Sequence, residues 1–265
     1  FVHGLNGQLN AGVFKGSYRG SKIIKLNRYF NRVEFEVQNN SMYFDPKNPL
    51  SRSSDSNVSS AILASSTIIA EKESKYLINV DNVFLSEALH QITRGFVPGG
   101  VNKNPFKLGR LAKERTKYSE IKNYPQNTDF IVQYVYTNPT PTNWGSDVGL
   151  TDPRSVNVTL QHSFIKLPEN NYKPRFEDPR VGYFTTQITD MTSANDPTPY
   201  RDMIHRWHLE KKDPSQSRSV VKEPIVWWIE NTTPHEFRDA IKEGVLLWNK
   251  AFEKAGLINA VDVKV

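Results

Sequence analysis

Cysteine is absent from the 265 residues. That excludes disulfide frameworks, cysteine-ligated zinc and cysteine nucleophiles together. A chain without thiols fits the bacterial envelope or exterior, where stray thiols are oxidised. Long apolar runs are also missing: stretches such as Ile131 to Tyr136 are strand-sized, far short of the ~18 residues a membrane helix needs. No transmembrane segment is expected. Basic residues outnumber acidic ones, 34 to 28, for a net charge of +6, yet no Lys/Arg run exceeds two. Lys107 to Lys122 interleaves acids with bases, and no nucleic-acid motif accompanies the charge, so nucleic acid is not an expected partner. Gly95, Gly99, Gly100 and Gly109 have the wrong spacing for a phosphate cradle, and there is no Gly-x-Ser-x-Gly nucleophile elbow. The chain opens at Phe1 without a Met or a leader and stops at Val265 inside a strand-like pattern. Both ends read as cut, and a longer parent protein is expected.

What is present is β patterning. Arg32 to Gln38 alternates strictly, with Val33, Phe35 and Val37 on one face. Ser60 to Ala70 and Ser74 to Val80 continue the pattern, with Leu77 and Ile78 as candidate core. Asp129 to Thr137 is rich in β-branched and aromatic residues. Ser155 to Leu167 alternates over Val156, Val158 and Leu160, then carries Phe164 and Ile165. Turn signals at Asp45-Pro46, Pro98-Gly99-Gly100, Asn138-Pro139 and Asp152-Pro153 punctuate these runs. Few helical crossovers of adequate length separate them, so antiparallel pairing is expected. A helix is predicted over Val83 to Ile92, with Asp81 as its N-cap. Leu108 to Ser119 reads as a basic amphipathic helix or a surface loop, and the serine-rich Ser51 to Ser60 as a mobile connection.

The character changes at Lys211 to Lys222, charged and Ser-rich, which is the expected linker. A strand at Pro224 to Glu230 follows. The next helix is predicted from Thr233 as N-cap, Pro234 at its first position and Glu236 closing a capping box. Phe237, Ile241, Val245, Trp248 and Phe252 recur at helical spacing, Gly256 stands where a C′ glycine belongs, and Val261, Val263 and Val265 alternate as a further strand. Strand, helix and strand in about forty residues make a βαβ unit with parallel strands. The helix is expected to pack on the sheet through Phe237, Ile241, Trp248 and Phe252. Trp227 and Trp228 face opposite sides of their strand, so at least one should meet it.

Candidate chemistry is sparse. His235-Glu236-Phe237-Arg238-Asp239 is one residue away from the His-Glu-x-x-His of zinc proteases. Asp239 replaces the second histidine, and the start of a helix accounts for Glu236 and Asp239 without a metal. His205 and His208 could share a metal on a helix but point apart on a strand, and no third ligand is apparent. His3, His90 and His162 are isolated. Glu177 and Asp178 read as a solvated turn rather than a glycosidase pair. No catalytic, cofactor-binding or metal-binding residue is assigned.

Three stretches carry a resemblance: Pro174 to Phe184, Met203 to Trp207, and Pro224 to Val226 leading to Trp248 through Gly256. Together they resemble a group of large bacterial zinc-dependent metalloproteases, in which a β-rich N-terminal region of unknown function precedes a metzincin-like catalytic domain. The likeness is specific from about Arg175 to Val265 and weak before Asn170. It implies an α+β chain: a mainly antiparallel β accessory domain over 1–210 with an extended arm at about 171–210, a linker at 211–223, and over 224–265 the first strand–helix–strand unit of the protease domain. It also implies a secreted, periplasmic or outer-membrane-associated parent that holds zinc through a motif downstream of Val265. This chain would then hold no zinc and have no activity alone; its partners would be the remainder of the catalytic domain and a protein or peptide substrate. The alternative is a non-catalytic β-rich binding or structural module of the envelope.

Overall fold

A computed structural model describes residues 1–8, 11–54, 58–92, 107–141, 149–192 and 199–265. The expected turn at Pro98-Gly99-Gly100 and the glycines Gly95, Gly99 and Gly100 lie outside the described residues. The chain forms two compact units, Phe1–Glu169 with Thr189–Pro199, and Asn170–Ile188 with Tyr200–Val265. The division therefore falls near residues 170, 189 and 200, ahead of the expected linker.

In chain order the first unit contains β1 (Val2–Asn6), β2 (Tyr18–Gly20), β3 (Ile24–Tyr29), β4 (Arg32–Val37), β5 (Met42–Tyr43), β6 (Ala61–Lys72) and β7 (Lys75–Ile78). A single helical turn, α1 (Asp81–Phe84), precedes β8 (Arg110–Leu111), β9 (Lys117–Asn123), β10 (Asn127–Thr137) and β11 (Ser155–Ile165). One sheet runs β2-β1-β11-β10, with β8 and β9 both on the far side of β10; the other runs β3-β4-β6-β7. Pairing within both sheets is antiparallel. Beside them, Thr189 and Asp190 pair in parallel with β5.

The predicted alternation places the core. Val156, Val158 and Leu160 of β11 and Val132, Tyr134 and Tyr136 of β10 bury one face of the longest ladder, and Phe35 of β4 joins the same cluster. Fully burying one such side chain contributes about 1.5–3 kcal/mol, so this face dominates the unit's stability. Two expectations change here. Leu77 is exposed and only Ile78 packs on the core; likewise Phe164 packs on it while Ile165 is exposed. Leu108 to Ser119 is no helix but two strands and a turn. The backbone N–H of Ala112 donates to Val135 O at 2.8 Å, and Leu108, Ala112 and Thr116 are buried. Bonds to β10 outweigh a weak amphipathic period.

The predicted helix over Val83 to Ile92 shrinks to α1, whose N-cap is Val80 with no side-chain cap. Side chains satisfy the backbone of the 81–92 segment instead, Tyr134 and Lys22 from elsewhere in the chain and Glu87 from within it. Tyr134 Oη donates to Phe84 O at 2.8 Å, Lys22 Nζ to Leu89 O at 2.8 Å, and Ile92 N donates to Glu87 Oε1 at 2.8 Å. Val83, Phe84, Leu89 and Ile92 are thereby pressed into the core.

The second unit contains most of β12 (Thr185–Asp190), then β13 (Tyr200–Ile204), β14 (Ser219–Val220), β15 (Ile225–Trp228), α2 (His235–Leu246), α3 (Trp248–Lys254), β16 (Leu257–Ile258) and β17 (Val261–Lys264). As the βαβ reading requires, β15 and β17 are parallel, from Ile225↔Val261 to Trp228↔Lys264. Strand β14 pairs in parallel with β16. Lys211 to Lys222, expected as a linker, is folded into this unit: Lys211 bridges Val221, and Lys211 Nζ donates to Gln216 O and Ser217 O. The helix begins one residue later than predicted, with Pro234 at the N-cap position and no side-chain cap, and it divides at Leu247. Gly256 does close it, at φ +84°, where a Cβ would meet Ser217 O at 2.5 Å.

Candidate functional site

The second unit places the two histidines of the 205–208 pair on separate partners. His205 Nε2 lies 2.7 Å from Thr186 Oγ1, and its backbone N–H donates to Phe184 O. His208 Nε2 lies 2.9 Å from Asn171 Oδ1, with its ring edge-on to Tyr172 at 5.0 Å. Both follow the end of β13, where Ile204 N donates to Arg175 O at 3.0 Å. His235, Glu236 and Asp239 are all exposed at the start of α2. Asp178 forms an ion pair with Arg180 at 2.6 Å, and hydrogen bonds from Arg180 hold its carboxyl below the usual range. Beside Glu177, whose N–H donates to Asp202 O, this is a turn. Among the described residues no three His, Asp or Glu side chains converge as a metal site.

A denser polar cluster lies in the first unit. Tyr134 Oη stands 2.8 Å from Phe84 O and 2.8 Å from His162 Nε2. A phenol has one proton, and it goes to the carbonyl; the oxygen then accepts the Nε2–H of a neutral imidazole. Burial pushes His162 down to about 4, with His90 and the chain's amino terminus adding repulsion. His90 also falls to about 4, first through burial and then through Arg19 and Lys22; Arg19 Nε donates to it at 3.4 Å. Tyr136 Oη donates to Glu87 Oε1 at 2.7 Å, and burial raises the pKa of both Tyr134 and Tyr136. At neutral pH both imidazoles are uncharged, and His162 is closed off from water. The cluster orients the 81–92 segment; it is not an exposed acid or base. The alternation of β10 and β11 could have signalled Tyr134, Tyr136 and His162 as inward. Nothing local signals Glu87.

The second unit's other feature is aromatic exposure. Trp228 is 68% and Trp248 65% exposed, and Trp227, Phe237 and Ile241 are exposed as well. Neither α2 nor α3 buries a residue fully. The expected packing of Phe237, Ile241 and Trp248 on the sheet is absent, because a two-stranded parallel sheet offers little surface to receive them. Neither tryptophan of β15 is covered; Lys264 Nζ lies 5.5 Å from the Trp228 ring.

A family model described as "Domain of unknown function (DUF5117)" matches residues 16–212. The chain belongs to that family. The match covers the β-rich part, takes in Pro174 to Phe184 and Met203 to Trp207, and stops ahead of the βαβ unit. No curated protein and no solved structure matches the chain.

Proposed function

We propose that this chain is the front part of a secreted or envelope zinc-dependent metalloendopeptidase. The DUF5117 region is its accessory domain, and β15 to β17 is the opening strand–helix–strand unit of a metzincin-like catalytic domain. One observation carries the reading: the parallel pair β15/β17 leaves Trp227, Trp228, Phe237, Ile241 and Trp248 in water. Parallel sheets are ordinarily buried on both faces, and exposed apolar patches mark contact surfaces. The remainder of the catalytic domain is the partner that would cover them. The resemblance over Trp248 to Gly256 supports the same assignment. Zinc and its general base belong to residues outside this chain, so no chemical step is assigned to side chains present here.

The test compares this chain with the full reading frame. Metal analysis after dialysis and hydrolysis of a protein substrate should give one retained zinc and chelator-sensitive cleavage for the full protein. This chain should show neither. A full protein that holds no zinc and cleaves nothing would leave the non-catalytic envelope module in its place. Retained zinc here, lost on replacing His205 and His208, would also overturn the reading.

A further inference from the structure

The sheet β3-β4-β6-β7 ends in two hairpins that hold apolar side chains in water, at the turn of the first and near the base of the second. Strands β3 and β4 are joined by the two-residue turn Phe30–Asn31, flanked by the pair Tyr29↔Arg32. Phe30 has φ +50° at the first turn position, where a positive φ favours glycine. Its ring is 78% exposed and stands edge-on to the exposed Tyr29 ring at 4.7 Å. Alongside, Ile68 N donates to Asn31 O at 2.7 Å, and β6 runs on from there to Lys72 before the turn Glu73–Ser74. At roughly 3.3 Å per residue the second hairpin reaches about 15 Å further. A bulge between Ile68 and Ala70 interrupts it, and Ile69 and Leu77 are exposed on it, Ile69 by 65%.

Cations surround this crown. Arg28 neutralises Glu71 at 3.0 Å and lies over the Tyr76 ring. Glu34 and Glu36 sit further down β4, with Glu36 opposite Lys25. That leaves Arg32, Lys72 and Lys75 against Glu73 near the two turns, on a chain of net charge +6.

We propose that this end of the sheet lies side-on against an anionic lipid surface, through the face on which the register places Tyr29, Arg32, Leu77, Lys72 and Lys75. Tyr29, Phe30, Ile69 and Leu77 enter the headgroup boundary, and Arg32, Lys72 and Lys75 meet the phosphates. Aromatic side chains with long basic ones beside them suit that boundary, because the ring is apolar and the stems of Lys and Arg carry their charge outward. A membrane also accepts side chains spread along one face of two hairpins, where no groove gathers them. This inference does not depend on the peptidase reading.

The experiment is co-sedimentation of the 265-residue chain with vesicles of phosphatidylcholine alone and of phosphatidylcholine mixed with phosphatidylglycerol. Binding to the mixed vesicles is expected, weakened by salt. The Phe30→Gly variant suits the turn better than the parent, so its melting temperature should not fall, while its binding should weaken about tenfold through lost apolar burial. Lys75→Gln should weaken binding about fivefold, the effect of one surface cation near an anionic leaflet. Equal binding by Phe30→Gly and parent would overturn the proposal. So would absence of binding to the mixed vesicles. A lipid-free dimer abolished by Phe30→Gly would assign the crown to a second copy instead.

Discussion

In the first unit Val132, Tyr134, Tyr136, Val156, Val158 and Leu160 share one buried cluster. The second unit buries Ile204, Val221, Ile225, Ile229, Ala260, Val261 and Val263 but leaves Phe237, Ile241 and Trp248 of its helices and both tryptophans of β15 in water. Apolar residues are plentiful in both. The difference is the number of layers each has to offer. Strands β10 and β11 are flanked on both edges and receive the 81–92 segment against their inward face, whereas β15 and β17 have only each other. Strand ladders form in both places, which shows that regular elements and a core are separate achievements. An amphipathic helix buries its stripe only if a surface exists to meet it.

The sharpest test of that contrast is Leu160→Ala. Leu160 is fully buried, and truncation there should cost about 2–5 kcal/mol, lowering the thermal midpoint of the first unit by many degrees. A loss well below that range would mean the cluster is loosely packed and the two units are more alike than they look.

A middle-sized effect concerns pH. His162 is held neutral by burial, with its pKa lowered from 6.5 to about 4. The unfolded chain takes up that proton first, so this contribution is complete above about pH 6.5. It falls as pH drops through about 4, with a slope approaching about 1.4 kcal/mol per pH unit. In His162→Gln an amide N–H can still reach Tyr134 but does not titrate, so its stability should vary less over that window. Denaturant titrations at a series of pH values read this directly; parallel curves for parent and variant would count against a neutral buried imidazole.

The smallest expected effect is Trp248→Ser, on the helix side of the second unit. With the ring largely in water, stability should stay within about 0.5 kcal/mol. A loss comparable to that of Leu160→Ala would show that the surface is covered in solution, for example by self-association, and sedimentation velocity on the same samples would reveal it.

The strands are legible in the sequence because their signal is local. Alternation over Val33 and Phe35, or over Val156, Val158 and Leu160, needs only neighbouring residues, and it places the inward faces correctly. The closing glycine at Gly256 and the parallel relation of β15 to β17 are legible for the same reason. Where that signal is weak, distant partners decide. The 81–92 segment abandons its helical period because hydroxyls of Tyr134 and Tyr136, about fifty residues away in sequence, reach Phe84 and Glu87. Lys211 to Lys222 has a linker's composition yet is pinned by Lys211 and by β14 against β16. For the candidate sites, the separate partners of His205 and His208 and the network around His162 depend on residues dozens of positions away.

Composition and periodicity therefore established an antiparallel β-rich chain, its main strands, and a final strand–helix–strand unit, because each rests on residues within a few positions of one another. Which apolar faces become core, where the chain divides into units, and whether a histidine meets a hydroxyl or stands alone were decided only in three dimensions. Those outcomes depend on what arrives from elsewhere in the chain to exclude water, and no local pattern encodes that arrival.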